Sequence, residues 1–181
     1  LPAIPVVAET VALHTIFELQ RATGARVHIC RLSSSEGIDL VRQAKRQGLP
    51  VTADVAIHHV HLIDVDIGYF DPNFRLDPPL RGTRDRDAIV AGLADGTIDI
   101  ICSDHAPIGE DDKLLPFGEA EPGASALETL LPLTLKWATE NDIPLSQALT
   151  KVTSGPAEIL SKGSPKGRLS VDAKADVVVF D

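Results

Sequence analysis

Residues 97–107 carry an apolar run that stops at a carboxylate, Thr97-Ile98-Asp99-Ile100-Ile101-Cys102-Ser103-Asp104, and is followed at once by His105-Ala106-Pro107. The pattern reads as a buried strand that delivers an acid, Asp104, to its C-terminal mouth. In a parallel α/β barrel that mouth is where side chains from strand ends and loops converge on one pocket. Taken by itself, an Asp at a strand end also serves as a turn former or helix cap. A second group, His58, His59 and His61, closes another apolar run. Histidines clustered at a strand end can ligate a metal, and packing against the fold is the alternative.

Several blocks in fixed order surround these residues. They include Ala8-Glu9-Thr10-Val11-Ala12-Leu13, Val27-His28-Ile29-Cys30-Arg31-Leu32-Ser33-Ser34, Gly48-Leu49-Pro50-Val51-Thr52-Ala53-Asp54-Val55, Pro78-Pro79-Leu80-Arg81, Ser103-Asp104-His105-Ala106-Pro107 and Leu127-Glu128-Thr129. The series resembles dihydroorotase of the amidohydrolase superfamily, in its long bacterial form. The resemblance implies a zinc-dependent (β/α)8 barrel that interconverts carbamoyl-aspartate and dihydroorotate in pyrimidine biosynthesis. It also implies that Asp104 ligates metal and shuttles a proton from the attacking hydroxide to the leaving nitrogen, a zinc pair having acidified the water and polarised the carbonyl.

The chain departs from that pattern on one pocket wall. The family's strand motif is His-x-x-His with the second histidine a zinc ligand, and here it reads His28-Ile29-Cys30-Arg31. A guanidinium offers only donors and a permanent positive charge, so Arg31 cannot coordinate zinc and repels it. Residues three apart on a strand point to opposite faces, which places His28 outward against the neighbouring helix if Arg31 looks inward. A bulge would reset that register and leave His28 available as a ligand. The substrate-contacting Asn before Pro-Pro-Leu-Arg is Asp77, whose carboxylate would repel an anionic substrate. The carboxylate-binding histidine after Asp-His-Ala-Pro is Ile108, and the substrate-flanking Phe-Gly reads Pro122-Gly123. By the resemblance, His58 and His59 match a His-His pair that is not the principal zinc set. His105 is expected to be structural or to support the ligands from behind, since adjacent strand residues face opposite sides. An impaired or atypical metal site is therefore expected. The alternative is a catalytically inactive homologue that supports aspartate transcarbamoylase as a structural partner, with Arg31 pairing with Asp104 in place of metal charge.

The elements that must position these groups alternate helix and strand. A helix is expected over 8–23, with Ala8, Ala12, Ile16, Leu19, Leu13 and Phe17 forming a wide buried face and Gly24 ending it. A strand over 26–32 leads to a helix opened by a Ser33–Glu36 capping box, and a strand over 50–57 follows. Long loops span 57–87 and 108–124, flanking a helix at 85–93 and the strand that ends at Asp104. A second capping box, Ser125 with Glu128, opens a helix kinked by Pro132 and closed by Asn141-Asp142. Helices over 145–152 and 156–160 precede strands at 167–169 and 175–180. This order predicts parallel βα units.

A full barrel needs about 250 residues, and the chain has 181, starts at Leu1 and contains no Met. The fold expected is thus α/β, the C-terminal part of a TIM-like hydrolase barrel. Residues 1–155 supply the last three βα units with their loops, and residues 156–181 a final helix and strands joining a small β-subdomain, with the upstream half of the barrel missing. A net charge of −9 excludes nucleic acid as a partner, because phosphate binding needs clustered Lys and Arg. No apolar run approaches the roughly 20 residues that cross a bilayer. The expected location is cytoplasmic, and the expected partners are a small-molecule substrate, a second copy of the chain or aspartate transcarbamoylase. Cys30 and Cys102 share no repeated spacing and are expected as inert thiols inside buried strands.

Overall fold

A computed structural model describes residues 4–161 and 166–180. Helix α1 (Val6–Thr23) leads into strand β1 (Val27–Ile29), helix α2 (Ser35–Arg46) and strand β2 (Val51–Ala56). Helices α3 (Ile57–His61) and α4 (Thr83–Asp95) precede strand β3 (Ile100–Cys102), and α5 (Glu110–Lys113), α6 (Leu130–Glu140), α7 (Leu145–Thr150) and α8 (Ser154–Leu160) complete the order. The strands form one parallel sheet in the order β1-β2-β3, with Val27 opposite Val51 and Asp54 opposite Ile100. Parallel neighbours need a crossover, supplied by α2 between β1 and β2 and by the segment containing α3 and α4 between β2 and β3.

Alternation along the strands sorts the side chains into two faces. Ile29, Val51, Ala53, Val55 and Ile101 join Leu13, Phe17, Ile38, Val41, Ile89 and Leu93 in one core cluster. Each such fully buried Leu or Ile contributes roughly 1.5–3 kcal/mol. The opposite face carries His28, Thr52, Asp54 and Cys102, which bond to one another. Helix α4 packs closely on Ile98, just before β3, and on Ile38 of α2 because Gly92 has no side chain: a Cβ there would meet Ile98 at 3.2 Å and Ile38 at 3.3 Å.

Four local expectations are corrected. The buried row of α1 is narrow, Leu13, Phe17 and Gln20, whereas Ala8, Ala12 and Leu19 are exposed, because among the neighbouring helices α1 packs chiefly on α2. Gln20 remains buried because its amide donates to the carbonyls of Ala25 and Pro50. The cap of α2 is Ser34, accepting from the Gly37 N–H at 3.1 Å, because the helix opens at Ser35, one residue later than a Ser33 cap requires. Helix α6 starts at Leu130 with no side-chain cap, and Pro132 sits in its first turn, where the missing N–H costs no hydrogen bond. The expected strands at 167–169 and 175–180 are not strands: Val177, Val178 and Val179 are exposed, and among the described residues no strand edge pairs with them. Residues 162–165 and 181 of that segment lie outside the described residues.

Candidate functional site

The sheet mouth is built where β1 and β3 run out. Asp104 and Arg31 both adopt left-handed backbone, φ 47° and 58°, a conformation that costs a non-glycine residue roughly 1–3 kcal/mol and gathers at functional sites. The Arg31 guanidinium lies with Nη1 3.5 Å from Asp104 Oδ1 and donates to the Asp77 carbonyl at 3.0 Å. One side chain thereby ties the acid at the end of β3 to the loop before Pro78. The Arg31 side chain is 46% exposed and that of Asp104 22%.

His58, on α3, reaches the same acid, with Nε2 3.7 Å from Asp104 Oδ2. Burial, with the nearby His59, pushes the His58 imidazole down to about 4, so the contact is not an ion pair at neutral pH. Neither His58 ring nitrogen has a hydrogen-bond partner. His59 is held below its ordinary range by burial and sets Nε2 3.2 Å from the Pro79 carbonyl. His61 sits apart, against the Leu133 carbonyl.

Below the mouth, Asp54 is a buried hub. Its Oδ1 accepts the Arg31 backbone N–H at 2.7 Å and faces Cys102 Sγ at 3.4 Å, while its Oδ2 lies 3.0 Å from His28 Nε2. His28 Nδ1 is 2.8 Å from Thr52 Oγ1. His28 therefore does not pack outward against a helix. The left-handed turn at Arg31 resets the alternation, so His28 and Arg31 both serve the polar face of the sheet. Cys30 is exposed and lies just past β1, and Cys102 is partly buried at the end of β3, so the expectation of two core thiols is also corrected. Burial and the Asp54 charge push both thiols up. Among the described residues, His28, Cys30 and Asp54 form a group whose ligand atoms all lie within 4.8 Å of one another.

The other expected positions frame the mouth without joining that hub. Ile108 packs beside Gly123, whose φ is 149° and whose missing Cβ would stand 2.6 Å from the Ala106 carbonyl oxygen. The Gly123 N–H is committed to the Arg75 carbonyl, and Pro122 beside it is partly buried. His105 is turned to the following loop, where its Nδ1 accepts the N–H groups of Ala126 and Leu127.

Two residues at the site were not singled out from sequence. The Glu9 carboxylate on α1 accepts the N–H and hydroxyl of both Ser33 and Ser34, at 2.5–3.2 Å. It anchors the loop that carries Arg31. Asp54 was visible as a carboxylate within an apolar strand, a residue type that is almost never buried without partners.

The family model described as the amidohydrolase family matches residues 7–181. A dihydroorotase-like protein of Pseudomonas putida is 42% identical over 181 residues, covering 100% of this chain and 42% of that protein. A dihydroorotase of a Geobacillus species is 42% identical over 179 residues, covering 98% of this chain and 42% of that protein. The chain thus spans about two fifths of the length of these relatives. An L-hydantoinase (dihydropyrimidinase) from Arthrobacter aurescens superposes with a TM-score of 0.87 at 26% identity, covering 94% of this chain and 39% of that one. With parallel βα units, an acid at a strand mouth and a family match over nearly its whole length, the chain belongs to the amidohydrolase family.

Proposed function

We propose that this chain contributes the last three βα units of a (β/α)8 barrel in a dihydroorotase-like protein that does not turn over dihydroorotate, its reaction mouth being filled by Arg31. The observation that carries this reading is the 3.5 Å approach of Arg31 Nη1 to Asp104 Oδ1. The reaction needs a Lewis-acidic dication beside this carboxylate. The residues present do not fit one: a fixed cation without a lone pair lies against the acid, where the resemblance places a ligating imidazole.

The neighbouring wall agrees with this. Ile108 offers no hydrogen bond to a carboxylate, Asp77 adds negative charge, and the Gly123 N–H is already bonded. The name of the Pseudomonas putida relative, a dihydroorotase-like protein, is in keeping with the reading. In such a protein the barrel serves as a scaffold, and aspartate transcarbamoylase or a second copy is the partner expected to co-purify with it. A second reading, an active cyclic amidohydrolase with an atypical zinc site, is favoured by the equal identity to a relative named dihydroorotase.

Assay of the full-length protein with dihydroorotate and with carbamoyl-aspartate, with and without added zinc, separates the two. The proposal expects no turnover above background. Turnover that disappears in Asp104→Asn would overturn it in favour of the second reading.

A further inference from the structure

We propose that His28, Cys30 and Asp54 form a binding site for one zinc-like divalent cation on the polar face of the sheet, below the Arg31–Asp104 mouth and separate from it. The donor set is an imidazole nitrogen, a thiol sulfur and a carboxylate oxygen, the three protein ligand types that zinc combines. Their ligand atoms already lie within 4.8 Å of one another. Tetrahedral zinc, with bonds of about 2.0–2.3 Å, sets neighbouring donors roughly 3.4–3.8 Å apart, a difference that small side-chain rotations close.

The backbone explains why these residues converge. His28 and Cys30 are two apart, so both face the side on which Asp54 stands on the adjacent parallel strand. The left-handed Arg31 then turns its own side chain to the mouth instead of over the cluster.

The surrounding hydrogen bonds orient the ligands as metal sites do, by holding the atom that does not face the metal. Thr52 Oγ1 holds His28 Nδ1, leaving Nε2 toward Asp54. The Arg31 N–H and Cys102 Sγ hold Asp54 Oδ1, leaving Oδ2 toward His28. Charge points the same way. Asp54 is 6% exposed, and among the described residues His28 is its one ion-pair partner, an imidazole that is cationic only when protonated. A buried carboxylate needs compensating charge, and a dication between Asp54, His28 and Cys30 supplies it. Cys30 is exposed, which gives the cation a way in.

The test is cobalt(II) titration of the metal-stripped full-length protein, followed by zinc competition. The expected result is one cobalt per chain with a thiolate-to-cobalt charge-transfer band that zinc abolishes. Cys30→Ser should remove the band, and Asp54→Asn should weaken binding by about tenfold or more; Cys102→Ser should leave the band in place, and Asp104→Asn should leave band and affinity unchanged. Circular dichroism of Cys30→Ser, a near-isosteric change at an exposed position, checks that the fold is retained. The proposal is overturned by a chain without a thiolate band, by a band that survives Cys30→Ser, or by one lost in Asp104→Asn, which would move the cation to the mouth. The readout is spectroscopic, so it stands or falls independently of whether the mouth turns over substrate.

Discussion

Arg31 and Asp104 meet across the mouth of the sheet at 3.5 Å, each in left-handed backbone, and the same Arg31 donates its backbone N–H to Asp54. One residue thus joins the acid at the mouth to the buried carboxylate beneath it.

Replacing Arg31 by histidine removes the guanidinium and restores an imidazole at that position. Because Asp77 and Ile108 are also altered, Arg31→His alone is expected to leave dihydroorotate turnover at background in a zinc-supplemented assay. Full activity from that single change would show that the guanidinium was the sole obstacle.

Glu9 accepts two N–H groups and two hydroxyls from Ser33 and Ser34. Glu9→Ala strands those donors on buried residues, at an expected cost of about 2–4 kcal/mol, since bonds to a charged acceptor are worth about 1.5–3 kcal/mol each and water relieves part of the loss. The urea midpoint should fall accordingly. A shift corresponding to less than about 1 kcal/mol would show that the loop holding Arg31 does not depend on this clamp.

Stability should fall as the solution is acidified from about pH 6.5 to 4. His58 titrates near its ordinary 6.5 in the unfolded chain and about 4 in the folded one. In that window the unfolded state binds a proton that the folded state refuses, so its population rises as pH drops; above 6.5 both forms are neutral and the effect vanishes. The loss is on the order of 3 kcal/mol for His58, and His59 and His61, also lowered by burial, act in the same direction. Urea unfolding across this range should show a shallower slope in His58→Leu than in the parent. An equal slope would mean that His58 is not the titrating group.

Gly123→Ala should destabilise the loop packed on Ala106 and Ile108. Its φ of 149° is one that L residues rarely adopt, and the new Cβ would lie 2.6 Å from the Ala106 carbonyl oxygen. A cost of roughly 1–3 kcal/mol follows from backbone strain of this type. An unchanged thermal midpoint would show that the loop shifts freely.

The alternation of apolar and turn-forming residues was sufficient to read parallel βα units, the helix ending at Gly24, and strands close to β1, β2 and β3. These features depend on short-range periodicity and on glycine's tolerance of positive φ. The spacing of Asp104 after its apolar run also located the acid at the mouth. The second capping box failed at Glu128 because Leu130 opens α6 without a side-chain cap, and the strands at 175–180 failed because a strand exists only where another edge accepts its hydrogen bonds.

What the order of residues determined by itself was the family, the layout of helices and strands, and the presence of a guanidinium where the resemblance places an imidazole. Which way His28 faces was decided only in three dimensions, because a single left-handed dihedral at Arg31 cancels the strand's alternation. The roles of Glu9 and Asp54 were likewise tertiary, since their partners lie 23–48 residues away along the chain and come into reach only when the helices and strands pack. Local sequence encodes period and turn; the direction of a side chain and the identity of its partner depend on backbone angles and neighbours that only the folded chain brings together.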